Sequence, residues 1–147
     1  MKKYFIKISY FILALIITSN ANSNTVFFEE AKKLYINKKY EKSKFLLEKN
    51  IVYNPKHYKS YLYLAKIYRE KENDEEEKKN LDTTLLIDSK NEEALYMLIE
   101  LNLKKSNFSQ VNKLMERFSL ICSTLCSNKK KIQEKIKAFE QSNESEK

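Results

Sequence analysis

Residues 61–68, YLYLAKIY, decide the fold. Tyr61, Leu64, Ala65 and Tyr68 fall at i, i+3, i+4 and i+7, which sets four packing residues on one face of a helix. The same register stands earlier at Phe27, Ala31 and Leu34, interrupted by Glu30, and later at Leu95, Leu98, Ile99 and Asn102. Ala31, Ala65 and Ile99 are spaced by 34 residues. A second helix follows each of these. Tyr40, Ser43, Leu47 and Ile51 lie along one face of the first, which Pro55 closes. Leu81 and Leu85 take the places of Leu47 and Ile51, with Glu77 in place of Ser43, and Val111, Met115 and Phe118 serve the third. Polar breaks mark the turns, at Asn37-Lys38-Lys39, Glu72-Asn73-Asp74 and Lys105-Ser106-Asn107 inside units. Asn54-Pro55 and Ser89-Lys90-Asn91 separate one unit from the next.

Helix–turn–helix units repeating every 34 residues resemble the tetratricopeptide repeat family. The resemblance covers residues 24–120. It implies an all-α fold in which helix pairs stack as a short right-handed superhelix. Three units are expected, at 24–57, 58–91 and 92–121. The small residue beside the helix crossing is present as Ala31 and Ala65 and becomes Ile99; the closing proline is present as Pro55 and becomes Ser89. A further helix over 129–141, with Ile132, Ile136 and Phe139 on one face, supplies the half-polar cap that a solenoid needs. Residues 142–147 have no apolar anchor and are expected to be a disordered tail.

The composition narrows the function. The chain of 147 residues has no Gly, no Trp and a single Pro. That excludes Gly-rich nucleotide loops and argues against positive-φ corners, which glycine supplies most easily. The net charge is +8, but Arg69 and Arg117 are the only arginines. A lysine-coated solvated surface accounts for it better than nucleic-acid recognition, which favours the bidentate guanidinium. Lys2, Lys3 and Lys7 precede an apolar run over 8–17, and Ser19-Asn20-Ala21 follows. This is the order of a secretory signal peptide, with cleavage expected after Ala21. The run is shorter than the roughly 20 residues a membrane span needs. An exported, periplasmic protein is expected, with an uncleaved membrane anchor as the alternative.

Few residues suggest chemistry. His57 is the one histidine, and no zinc, serine-hydrolase or C-x-x-C motif occurs. The acidic run Glu72 to Glu77 reads as a helix opening that complements the helix dipole. No cofactor and no metal is expected, and the chain reads as non-enzymatic. In an oxidising compartment Cys122 and Cys126 are expected to form a disulfide. Residues four apart in a continuous helix hold their Cβ atoms about 5–6 Å apart, against the roughly 3.5–4.5 Å that a disulfide takes. The bond therefore requires the helix to end between them.

The family resemblance places a partner-binding groove on the first helix of each unit. Its lining positions are Phe28, Lys32 and Tyr35, then Leu62, Lys66 and Arg69, then Tyr96, Glu100 and Leu103. Aromatic and aliphatic anchors beside Lys32, Lys66 and Arg69 suit an extended or helical peptide with apolar side chains and some negative charge. Phe28 and Lys32 stand where carboxylate-clamping members carry Lys and Asn, so that clamp is not expected. The function expected is a protein–protein interaction module of the bacterial cell envelope, with a structural subunit of a larger envelope assembly as the alternative.

Overall fold

The computed structural model describes residues 23–145, and every element among them is an α-helix. The expected leader, 1–21, lies outside the described residues. The chain divides after Pro55 into two compact units. The first holds α1 (Ser23–Ile36) and α2 (Tyr40–Tyr53). The second holds α3 (Tyr58–Glu70), α4 (Asp74–Ile87), α5 (Glu92–Lys104), α6 (Phe108–Ile121) and α7 (Asn128–Ser145).

The spacing that marks the repeat also marks the buried positions. Ala31, Ala65 and Ile99 are fully buried, as are Leu47 and Leu81 with Met115 nearly so. Ser43, Glu77 and Val111 form another buried series, and Asn50, Thr84 and Phe118 a third. The last two series change from polar to apolar along the chain, while Leu47, Leu81 and Met115 are apolar throughout. Several of the buried polar side chains donate to helix carbonyls. Ser43 Oγ donates to Ala31 O at 2.8 Å, Thr84 Oγ1 to Asn80 O at 2.9 Å and Asn102 Nδ2 to Leu98 O at 2.7 Å.

In the second unit one apolar cluster runs from Leu62 through Leu81, Leu95, Ile99 and Phe118 to Ile132. The last of these belongs to α7, where Ile136 also packs on the cluster and Phe139 stacks on Phe108 at 3.7 Å. That helix continues to Ser145, beyond the expected end at Gln141. Residues 142–145 contain neither Gly nor Pro, so nothing in the local chemistry stops the helix at 141.

The turns correct one expectation drawn from composition. Among the described residues three adopt left-handed backbone without being glycine: Lys38 at φ 56°, Glu72 at φ 55° and Ser106 at φ 53°. They are 34 residues apart and hold the same place in each helix pair. Each is followed by an N–H that reaches back five residues: Lys39 to Leu34 O, Asn73 to Tyr68 O and Asn107 to Asn102 O, all at 2.9 Å. This long-range closure, together with the short N–H bond of the left-handed residue itself, satisfies helix-end carbonyls. The hydrogen bonds hold the corner where glycine is absent.

Helix starts repeat as well. Asn73, Asn91 and Asn107 accept from the backbone N–H three residues on, at Glu76, Ala94 and Gln110. Asparagine at these caps satisfies an otherwise orphaned donor. His57, read above as a solvated turn residue, occupies the cap of α3 and its Nδ1 lies 2.9 Å from Ser60 Oγ.

Candidate partner-binding site

The nine groove positions fall three in the first unit and six in the second. In the first, Phe28 is buried while Lys32 and Tyr35 are half-buried, and Tyr35 lies 5.7 Å from Tyr40 of α2. In the second, Leu62 is buried in the apolar cluster, which Tyr96 and Leu103 cover from its edge. Tyr96 packs on Phe118 with ring centroids 6.1 Å apart. Burial pushes its phenol up to about 12, helped by the neighbouring Glu100 carboxylate, so the hydroxyl stays protonated.

The charged positions are committed to one another. Arg69 donates through Nε to Glu77 Oε1 at 2.8 Å, through Nη1 to Glu100 Oε2 at 3.0 Å and through Nη2 to Met97 O at 3.1 Å. One guanidinium thereby ties α3 to α4 and α5. Glu77 is 3% exposed, and burial raises its carboxyl pKa against the lowering effect of Arg69. Lys66 pairs with Glu93 at 2.7 Å and lies 4.7 Å from the Tyr63 ring. Two cations expected on the groove thus also join helices.

The Cys122–Cys126 loop makes a different kind of site. The two sulfurs are bonded and the Cα atoms stand 5.2 Å apart. Helix α6 ends at Ile121, Cys122 is extended, and α7 starts at Asn128, so the helix breaks at the bond. The closed loop turns its N–H groups onto Glu92 at the start of α5. Ser123, Thr124 and Leu125 donate to that carboxylate at 2.6, 3.2 and 3.4 Å, and the Thr124 hydroxyl joins them. These donors, the Thr124 hydroxyl foremost, hold the carboxyl down from its ordinary 4.5 to about 2. Nothing in the spacing of the cysteines pointed to Glu92.

Among the described residues there is no group of three or more His, Cys, Asp or Glu placed to hold a metal, and no helix is long and apolar enough to cross a membrane.

No protein-family model and no curated protein matches the chain. Solved structures do. The Yersinia enterocolitica type III secretion chaperone SycD, in complex with a peptide of the translocator YopD, superposes with a TM-score of 0.71 over 84% of this chain and 96% of SycD, at 12% identity. A chain of the CopN–Scc3 complex gives a TM-score of 0.66 over 84% of this chain and 72% of that one, at 15% identity. The fold is a tetratricopeptide-like helical repeat. At these identities the likeness establishes architecture and nothing finer.

Proposed function

We propose that this chain is a non-enzymatic module that holds a peptide segment of a protein partner, on the face carrying Tyr96, Leu103 and the aliphatic parts of Lys66 and Arg69. The supporting observation is the shared architecture with SycD, whose structure contains a peptide of its translocator. The chemistry of the face agrees with an apolar peptide, because Lys66 and Arg69 are already paired with Glu93, Glu77 and Glu100. Lys32 and Tyr35 are the corresponding positions of α1. Apolar anchors ringed by satisfied polar groups are what peptide recognition commonly uses. We further propose export to the cell envelope, supported by the basic and apolar order of residues 1–21 and by the bonded cysteine pair.

The test is a tiled array of peptides from envelope proteins of the source cell, probed with the full chain and then with Tyr96→Ala and Leu103→Ser. Both variants should keep their helical circular dichroism and lose binding to the same peptides. Unchanged binding would move the site elsewhere. Mass spectrometry of the native protein reads the cleavage: the mature chain should start at Asn22, and a chain still beginning at Met1 in the membrane fraction would favour the uncleaved anchor.

A further inference from the structure

The break between α6 and α7 is imposed by a bond. Residues 122–127 hold neither Gly nor Pro, and Cys122 and Cys126 could not be joined within one continuous helix. The bonded loop serves two helices at once. It turns its N–H groups onto Glu92 of α5, and its carbonyls open α7. Leu125 O accepts from Asn128 N–H at 3.0 Å and Cys126 O from Lys129 N–H at 3.1 Å. Both cysteines are half-buried beside the exposed Ser123, Thr124 and Ser127, within reach of a small thiol.

Beyond this loop α7 has little to hold it. Helices α3, α4 and α5 are tied by Lys66 to Glu93, by Arg69 to Glu77 and Glu100, and by Lys104 to Asp74. Among the described residues no ion pair joins α7 to another helix. Lys130 meets Glu134 within α7 at 4.0 Å, and Lys129 Nζ reaches Ser119 O at 3.4 Å. The attachment rests on Ile132, Ile136 and Phe139. A helix held by three apolar side chains belongs to the low-stability end of a fold, where local opening precedes global unfolding.

We propose that the Cys122–Cys126 bond is a redox latch: while it stands, α7 caps the apolar cluster of the second unit, and its reduction by a dithiol releases α7 and uncovers Phe108 and the cluster. A thiolate of the dithiol attacks one sulfur, forms a mixed disulfide and expels the other sulfur as a thiolate. The second thiolate of the dithiol then closes its own disulfide and frees the first sulfur. Two electrons and two protons pass to the cysteines, and the dithiol leaves oxidised. The opened loop no longer gathers three N–H groups on the Glu92 carboxylate. Residues 122–127 are then free to continue α6 as helix, which carries Ile132 about 16 Å beyond Ile121 along the axis and out of the cluster. The latch does not depend on the peptide-binding face proposed above.

Hydrogen exchange of the full chain, read by mass spectrometry before and after dithiothreitol, tests this. Amides of 128–139 should exchange at least about tenfold faster once the bond is open, while those of α3 and α4 keep their rates. Reoxidation should restore the protection. Cys122→Ser with Cys126→Ser should exchange like the reduced chain and ignore dithiothreitol, which ties the effect to this bond. Equal protection of α7 in both redox states overturns the proposal and leaves the bond a local clip. A rise spread evenly over α3 to α6 also overturns it, because the bond then supports the whole second unit. So does a bond that dithiothreitol fails to open in the folded chain, read as no gain in mass with iodoacetamide.

Discussion

The first and third helix pairs share a backbone plan and fill it differently. Where the first buries Ser43 and Asn50 beneath α2, the third buries Val111 and Phe118 beneath α6. Where the first starts its second helix at Lys39 with no side-chain cap, the third starts at Asn107, which caps Gln110 N–H. The first pair leaves Leu34 and Leu46 half-buried, and the third hides Leu98 and Leu114. A period of 34 residues thus fixes where each side chain points and leaves its chemistry free. The apolar pair supplies the core; the polar pair offers surface.

This contrast gives the largest expected effect. Phe118→Ala removes a fully buried ring from the cluster and should cost about 3–5 kcal/mol. Asn50→Ala at the equivalent place of the first pair should cost only about 1 kcal/mol, the scale of a neutral hydrogen bond. Urea unfolding followed at 222 nm measures both. Equal costs would mean that the two pairs are equally important to the cooperative core.

Next comes the junction at Arg69. Arg69→Ala leaves the Glu77 carboxylate buried without its cation, and we expect a loss of about 2–4 kcal/mol, at the lower end because Arg69 is one-third exposed. Glu77→Gln keeps an oxygen for Arg69 Nε and removes the buried charge, so its cost should stay below about 1 kcal/mol. A larger loss for the glutamine variant would show that the ionised form carries the junction.

The Glu92 nest separates the ends of the second unit by pH. Its carboxyl is held below the ordinary 4.5, so the ionised form contributes stability above that value. The contribution is lost as pH falls from 4.5 towards 2, because the unfolded chain takes up the proton first. Glu92→Gln should flatten this part of the acid-unfolding curve and leave the curve above pH 6 with the wild-type slope. Cys122→Ser with Cys126→Ser should flatten it similarly, since the open loop no longer gathers three N–H groups on one carboxylate. An unchanged acid slope in both variants would show that the nest does not contribute to folding.

These sites also show what a sequence makes legible. The helix register could be read because burial repeats with the helical period and the unit length, from Ala31 to Ala65 to Ile99. The helix break beside the cysteine pair could be read because bond geometry forbids a disulfide between residues four apart in one continuous helix. The polar ties escaped. They join helices within the second unit at separations shorter than the repeat: Lys66 to Glu93, Arg69 to Glu100, Asp74 to Lys104 and Glu92 to Ser123. Opposite charges at those offsets were visible in the chain, but only knowing which helices lie side by side turns them into pairs. The internal partners of Lys66 and Arg69, Glu93, Glu77 and Glu100, were therefore not foreseen.

The smallest expected effect lies at the three left-handed corners. A residue with a Cβ costs about 1–2 kcal/mol in this conformation, whereas glycine enters it freely. Glycine also gives the unfolded chain more freedom, which takes back roughly 0.5–1 kcal/mol. Lys38→Gly and Ser106→Gly should therefore each stabilise by a few tenths to about 1 kcal/mol. Lys38→Asn should do nearly as well, because asparagine tolerates the left-handed region without that entropic loss. Lys38→Val should destabilise, since branching at Cβ makes the same corner worse. The order Gly and Asn above Lys above Val, read as midpoints of denaturant unfolding, is the expected result at Lys38 and again at Ser106. If glycine destabilises at both, the hydrogen bonds from Lys39 to Leu34 and from Asn107 to Asn102 do not hold a left-handed turn in solution, and the shared backbone plan of the first and third pairs is wrong at its corners. If it stabilises at Ser106 and not at Lys38, the plan holds only where the third pair's apolar core supports it.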